Sequence, residues 1–179
     1  MTMIKIDQYF EPASWQKFTK AAEGRETPFL VVDLSRIETK YHEMVSLFPN
    51  AKLHYAMKAS PAVEVIDLLA NLGSNFDCAS IYELDRVLGC GVDPSRISYG
   101  NTIKKAEHVK YAFEKGIDLY ATDSEADLKN IAKHAPGSKV FVRILVQGSE
   151  TAEWPLSRKF GCHPNMAIDL LVQARELGL

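Results

Sequence analysis

The stretch "KLHYAMKASPAVEVIDLLANLG", residues 52–73, joins a short alternating strand to a helix. Side chains in a strand switch sides at every residue, so His54 and Lys58 share one face of it. Pro61 suits the first turn of the following helix, and Gly73 suits the position just past its end. The stretch therefore predicts one strand and helix unit of an α/β protein.

The same unit recurs at regular intervals along the chain. We predict strands at residues 29–34, 52–58, 75–80, 97–101, 118–123 and 139–145. The clearest helices are predicted at residues 35–47, 61–73, 124–137 and 164–179. Ser35 and Ser124 are the expected caps of the first and third of these helices. Strands that alternate with helices in this way are expected to be parallel, with right-handed crossovers.

Two architectures fit this alternation, a doubly wound sheet and a (β/α)₈ barrel. The first strand is not followed by a G-x-G-x-x-G turn, so the dinucleotide-binding form of the doubly wound sheet is disfavoured. We predict a barrel. A complete barrel takes roughly 200–250 residues or more, so we expect these 179 residues to be the front part of a longer protein. Residues 1–28 are expected to form an N-terminal segment and residues 29–179 the first part of the barrel domain.

Composition narrows the choice of partners. The net charge is −2 with cations spread along the chain, which gives neither a stripe for nucleic acid nor a basic patch for a membrane. We see no signal peptide and no stretch of membrane-spanning length, so we expect a cytoplasmic protein. Cys78, Cys90 and Cys162 are odd in number and lack the C-x-x-C spacing of metal or redox sites, which fits free thiols in a reducing compartment. A small-molecule substrate or a protein partner remains.

Polar residues at the ends of apolar strands are the first candidates for a site, because barrel enzymes place their chemistry at the carboxyl ends of the strands. Lys58, Asp77, Asn101, Asp123 and Arg143 fit this description. Of these, Lys58 alone has an amine that can bond covalently to a carbonyl group once it is partly desolvated.

Each candidate also has a purely structural interpretation. A lysine at the end of a strand is usually solvated, and Asp77 and Arg143 could form an ion pair across the barrel mouth. His54 fits a hydrogen-bonded packing residue better than a base. The two lysines in "NTIKK", residues 101–105, fit a solvated helix start. Spacing alone does not decide between these interpretations.

A set of motifs, taken in order, carries a family resemblance. The pieces "TPFLVVDL", "HYAMKAS", "NFDCASIYEL", "RISYGNTIKK", "LYATDSEADLKNIAK", "VFVRI" and "SRKFGC" together resemble the pyridoxal-phosphate-dependent ornithine decarboxylase family, whose barrel is of the alanine racemase type. The similarity runs from about Thr27 to the end of the chain. "FDCAS" and "SRKFG" are more similar to ornithine or lysine/ornithine decarboxylases than to diaminopimelate decarboxylase.

The resemblance implies a role for individual residues. Lys58 corresponds to the lysine that holds pyridoxal 5'-phosphate (PLP) as an internal aldimine, and Asp77 and Arg143 correspond to positions near the cofactor. Lys159 corresponds to a lysine close to the dimer interface. About five of the eight barrel strands would then be present, with residues 29–34 outside that count. His54 and Ser60 depart from the family pattern, which commonly has an aromatic residue and an asparagine there.

The implied activity is PLP-dependent decarboxylation of a basic L-amino acid, foremost L-ornithine to putrescine and CO₂, by a cytoplasmic homodimer. The segments that set substrate choice, together with the phosphate loop, the ring-stacking histidine and the catalytic cysteine of the family, are expected after Leu179. Four alternatives stay open: a lysine/ornithine or diaminopimelate decarboxylase, an amino-acid racemase, a small PLP carrier, and a non-catalytic regulatory relative.

Overall fold

The computed structural model describes residues 9–146 and 160–179. The chain forms two compact units, residues 1–35 and 36–179. In the first unit, helix α1 spans Pro12–Ala22, with a proline in its first turn. Such a proline is tolerated because the first N–H groups of a helix have no partner inside it.

The strand predicted at residues 29–34 is wrong. Residues 29–33 form neither helix nor strand, and helix α2 spans Leu34–Leu47. Apolar residues in a row favour a strand only where a second strand supplies hydrogen-bond partners, and no described residue pairs with this segment. The predicted cap is also displaced: the Asp33 carboxylate accepts hydrogen bonds from the N–H of Ser35, at 3.0 Å, and from its hydroxyl, at 2.6 Å.

The second unit alternates strands and helices as the sequence predicts. Its strands are β1 (His54–Ala56), β2 (Asn75–Cys78), β3 (Ile97–Tyr99), β4 (Leu119–Thr122) and β5 (Lys139–Val142). Its further helices are α3 (Val63–Asn71), α4 (Ile81–Gly89), α5 (Ala106–Glu114), α6 (Glu125–His134) and α7 (Pro164–Glu176). Short 3₁₀ turns lie at Met57–Ala59 and Pro94–Arg96.

The five strands form one parallel sheet in the order β1-β2-β3-β4-β5. Sequential neighbours that all run parallel are the arrangement of a (β/α) barrel rather than of a doubly wound sheet, in which the order reverses. Ala56 pairs with Asp77, and Asp77 pairs with Ser98. Beyond β5, Ile144 forms an isolated parallel bridge with Cys162. The five strands predicted from residue 52 onward are confirmed, although each is shorter than predicted.

One face of the sheet packs against the helices. Phe76, Cys78, Ile97, Tyr99 and Tyr120 lie on this face and are almost fully buried. A side chain such as phenylalanine contributes about 1.5–3 kcal/mol when it is fully buried. Burial also raises the pKa of the Cys78 thiol. Cys78 is thus a neutral core residue.

Capping serines lie between two of the strands and the helices that follow them: Ser80 precedes α4, and Ser124 precedes α6. The Ser80 hydroxyl accepts a hydrogen bond from the N–H of Glu83 at 3.3 Å, and the Glu83 carboxylate accepts one from the N–H of Ala79 at 2.6 Å. Ser124 caps α6 in the predicted way, accepting from the N–H of Asp127 at 3.3 Å. None of the helices in the described residues has the length and apolarity needed to cross a bilayer.

Candidate functional site

The other face of the sheet carries polar side chains and borders a cavity of about 600 Å³. Because Phe76 and Cys78 face the helices, the residue between them, Asp77, must face this cavity. The same alternation applies to the neighbouring strands. The lining residues are His54, Lys58, Asp77, Ser98, Gly100, Leu119, Ala121, Phe141 and Arg143. The structure therefore brings together the three residues that the sequence put forward for the cofactor.

Lys58 lies in a turn rather than in the strand. β1 ends at Ala56, and the chain forms a 3₁₀ turn in which Met57 is fully buried and Lys58 is exposed. The Tyr55 hydroxyl donates to the carbonyl of Ser60 at 3.2 Å and holds the far side of this turn. Lys58 Nζ makes no hydrogen bond or ion pair with any described residue. Its amine is therefore accessible from the cavity.

Asp77 is held by its neighbour on β3. The Ser98 hydroxyl donates to Asp77 Oδ1 at 2.7 Å. The carboxylate lies directly against Gly100, where any Cβ would overlap it. The N–H of Gly100 donates to the carbonyl of Cys78 at 2.8 Å, which extends the pairing of the two strands past their ends. A residue without a side chain thus makes the room that this carboxylate occupies.

Arg143 directly follows β5 and is fixed through its backbone on both sides. Its N–H donates to Thr122 at 2.9 Å, and its carbonyl accepts from the N–H of Cys162 at 2.9 Å. The guanidinium carbon lies 5.0 Å from the centre of the Phe160 ring, within the range of a cation–π interaction. No ion pair joins Asp77 to Arg143, so that structural alternative is wrong. The exposed guanidinium keeps its donors for an anionic ligand.

Asn101 and Asp123, the other two polar residues at strand ends, do not line the cavity. Asn101 Nδ2 donates to the carbonyl of Ala79 at 3.2 Å, which links two neighbouring loops. Asp123 Oδ2 accepts from the N–H of Gly161 at 2.8 Å. Gly161 has a φ of +100°, and a Cβ there would lie 2.8 Å from the backbone of Ile144. Both polar residues are therefore structural supports of the strand ends.

Ser98 was missed by the sequence interpretation, and His54 was predicted only as a hydrogen-bonded packing residue. His54 borders the cavity, and its Nδ1 lies 3.4 Å from the Ser98 hydroxyl. Ser98 is buried between Ile97 and Tyr99 in sequence. A serine between two apolar strand residues was the available signal, since alternation places it on the face of Asp77 once the register of β2 and β3 is known.

The prediction that both lysines of residues 101–105 are solvated is wrong for Lys104. Its buried ammonium donates to the carbonyls of Asn101, at 2.8 Å, and Ala121, at 2.6 Å, and to Asp127 Oδ2 at 2.8 Å. Burial lowers the pKa of Lys104 and raises that of Asp127, while the attraction between the two charges opposes both shifts. With three acceptors for its three N–H bonds, Lys104 binds the loops behind the cavity together.

A second cavity of about 510 Å³ lies between α2 and β1. Tyr41, Met44, Leu53 and Leu69 are among its mainly apolar lining, which includes no carboxylate. Of these two cavities, only the larger one combines a lysine and an arginine with a carboxylate.

The chemistry of the donor set fits an aldehyde that also carries negative charge. A primary amine can bond to a carbonyl carbon, and a guanidinium binds anions with a fixed fork of donors. Lys58 and Arg143 supply these two groups on one cavity wall, with the Asp77 carboxylate between their strands. The described residues contain no group of three or more His, Cys, Asp or Glu side chains placed to hold a metal ion.

Comparison with known proteins gives matches over most of the chain. The family model described as "Pyridoxal-dependent decarboxylase, pyridoxal binding domain" matches residues 34–179. The ornithine decarboxylase of Saccharomyces cerevisiae is 39% identical over 156 residues, which cover 87% of this chain and 33% of that protein. The lysine/ornithine decarboxylase of Selenomonas ruminantium is 40% identical over 153 residues, which cover 86% of this chain and 39% of that protein.

A solved structure supports the same relationship. The arginine decarboxylase of Paramecium bursaria Chlorella virus aligns with a TM-score of 0.84 at 29% identity, over 93% of this chain and 45% of the viral one. The chain thus spans between a third and just under half of the length of these three proteins.

Proposed function

Because the chain belongs to the pyridoxal-dependent decarboxylase family, as part of its pyridoxal-binding domain, we propose that the protein decarboxylates a basic L-amino acid with PLP as its cofactor. Family membership confirms the predicted fold class, the N-terminal part of a PLP-binding barrel. One observation carries the proposal: Lys58, Asp77 and Arg143, from different parts of the sheet, line one cavity.

Each of these residues has a distinct task. Lys58 holds the cofactor through its accessible amine, since no described residue engages that amine. Arg143, fixed by its backbone and by Phe160, binds an anionic group of the cofactor or substrate. Asp77 is a fixed negative charge that orients a cationic or hydrogen-bonding group of the ligand. When bound, PLP supplies a conjugated ring that accepts electrons released at the substrate.

We propose L-ornithine as the first substrate, with putrescine as its product, and L-lysine as the second. Ornithine and lysine/ornithine decarboxylases are among the similar proteins, and both act on amino acids with a cationic side chain. The viral arginine decarboxylase extends the same class to a third such amino acid. A basic amino acid is therefore the class that these relatives have in common.

We also propose that the protein works as a homodimer in the cytoplasm. The exposed apolar side chains of α7, Ile168, Leu171 and Val172, support association with further protein surface. Lys159, the residue expected near the dimer interface, lies outside the described residues. Light scattering after size exclusion of the protein at its encoded length gives the oligomeric state, and cell fractionation gives the location.

Release of CO₂ from carboxyl-labelled amino acids tests the reaction. The protein at its encoded length, supplied with PLP, should release labelled CO₂ from L-ornithine and less from L-lysine and L-arginine. Borohydride reduction should fix the cofactor to Lys58, as read by peptide mass spectrometry, and Lys58→Ala should abolish both signals. Lys105→Ala, which alters an exposed lysine outside the cavity, serves as the matched control. Conversion of L-ornithine to its D form without CO₂ would show a racemase instead.

A further inference from the structure

Three side chains on adjacent strands form a continuous hydrogen-bonded line on the cavity face. Asp77 Oδ1 lies 2.7 Å from the Ser98 hydroxyl, which lies 3.4 Å from His54 Nδ1. They belong to β2, β3 and β1, in that order. We propose that His54 and Ser98 act as positioning residues, forming a directed relay that holds the Asp77 carboxylate in place. The relay rests on the proposed function, because it gives Asp77 its orientation toward the cofactor.

The direction of the relay follows from counting protons. A serine hydroxyl has one proton, while an ionised carboxylate only accepts. The contact from Ser98 to Asp77 is the short one, and a hydrogen bond to a charged oxygen is about twice as strong as a neutral one. The proton of Ser98 therefore lies between these two residues. The other nearby acceptor, the carbonyl of Phe76, is farther away at 3.4 Å.

The state of His54 is then determined by Ser98. With its proton given to Asp77, the serine oxygen can only accept from the imidazole. The nitrogen facing it, Nδ1, must carry a proton, whether the ring is neutral or charged. In the neutral ring the proton on Nδ1 leaves Nε2 as an acceptor. The relay thus runs from His54 Nδ1–H to the Ser98 hydroxyl and on to Asp77 Oδ1.

Burial makes this relay rigid. Ser98 is 3% exposed, so water cannot readily replace either of its partners. Gly100, which has no side chain, leaves the space that the carboxylate occupies. With Oδ1 committed to Ser98, Asp77 presents its second oxygen to any ligand that enters the cavity. A carboxylate fixed in this way needs no reorientation when the ligand binds.

The first test reads the tautomer of His54 in the cofactor-free protein at its encoded length. Long-range ¹H–¹⁵N correlation of ¹⁵N-histidine protein, at a pH where His54 is neutral, should show a protonated Nδ1 and a bare Nε2. His54→Asn assigns the signal by removing it. Ser98→Ala should lose this signature, and Ser98→Thr, which keeps the hydroxyl, should retain it. A protonated Nε2 with a bare Nδ1 in the wild type would overturn the relay.

The second test reads catalysis with PLP bound. Ser98→Ala should lower kcat about 10- to 100-fold, the effect of one hydrogen bond to a charged group, with little change in KM. Ser98→Thr should restore most of kcat. His54→Asn, whose amide can donate from near the position of Nδ1, should retain more activity than His54→Leu. Equal losses in Ser98→Ala and Ser98→Thr contradict a role for the hydroxyl.

The two tests separate the relay from the proposed function. If the wild type shows the expected His54 tautomer but releases no CO₂ from any basic amino acid, the relay stands and the proposed function fails. If it releases CO₂ while His54 carries its proton on Nε2, the function stands and the relay fails. Spectral dispersion of the variants shows whether each one is folded.

Discussion

The Cα of Gly100 lies so close to the Asp77 carboxylate that a Cβ built on it would overlap both carboxylate oxygens. The glycine is not one of those with a positive φ, so its missing side chain matters here and its backbone freedom does not. The overlapped atoms are the end of a side chain that can rotate. An alanine at this position would therefore displace the carboxylate rather than the strands.

Gly100→Ala should weaken both folding and ligand binding through Asp77. The free energy of unfolding should fall by about 1.5–3 kcal/mol, because the buried Ser98 hydroxyl loses its charged acceptor, while alanine at a compatible φ costs little by itself. The dissociation constant for PLP should rise about tenfold, because Asp77 loses its charge-assisted hydrogen bond from Ser98. Urea unfolding and cofactor titration measure the two quantities. In an Asp77→Ala background, Gly100→Ala should not raise the dissociation constant for PLP further. A tenfold rise in that background would contradict the conclusion that Gly100 acts through Asp77.

Arg143→Lys should weaken anion binding although the charge is kept. Lysine lacks the planar fork of donors and the stacking on Phe160 that hold the guanidinium. We expect the dissociation constant for PLP to rise about tenfold, and further for Arg143→Ala, as charge-assisted pairs are lost. Fluorescence titration with PLP checks the order. Arg175→Lys, on the exposed surface of α7, is the control and should bind as the wild type does.

Lys104→Met should lower the free energy of unfolding by much more than is usual for a substitution in a loop. It leaves Asp127, with a side chain 7% exposed, without its charged partner. Removing one member of a buried pair costs about 3–5 kcal/mol. Replacing both residues, in Lys104→Met with Asp127→Leu, should recover much of the loss. Lys110→Met removes an exposed pair with Glu114 and should cost at most about 1 kcal/mol in the same urea titration.

The raised pKa of Tyr99 predicts that the free energy of unfolding falls at alkaline pH. Burial raises its pKa from 10.0 to about 12, so the folded protein holds a proton that the unfolded chain releases. Its contribution is fully present below pH 10 and is lost as the pH rises from 10 to about 12. Two pKa units correspond to about 2–3 kcal/mol.

Urea unfolding at a series of alkaline pH values checks this prediction. Tyr99→Phe should remove this part of the alkaline slope, whereas Tyr82→Phe, at an exposed tyrosine, should leave it unchanged. A Tyr99→Phe slope equal to that of the wild type would refute the assignment to Tyr99.

The strands and helices of the second unit could be predicted because their signals are local. Alternation in "FDC" and "RISY" and glycines past the helix ends need no knowledge of distant residues. The segment at residues 29–34 has the same local signal, yet forms no strand, because a strand also needs a partner. Local patterns thus give the elements but not their pairing.

That the candidate site residues share one cavity was predictable only where alternation and the family resemblance agreed. Lys58, Asp77 and Arg143 come to one cavity because each lies at or just past the end of a strand of the same sheet. Lys104 could not be identified as buried, since it lies in a loop and its partner Asp127 lies 23 residues later on α6. His54 and Ser98 lie 44 residues apart, and only the register of three strands brings them into contact.

The two faces of β2 have an evolutionary consequence. Phe76 and Cys78 serve the core while Asp77, between them, serves the cavity. Substitution of Asp77 can therefore alter the chemistry of the cavity without changing the core. Substitution of Phe76 or Cys78 can alter stability without changing the cavity. Gain or loss of a single residue within the strand exchanges the two sets of side chains. Lineages that descend from this chain should differ here by replacement and very rarely by length.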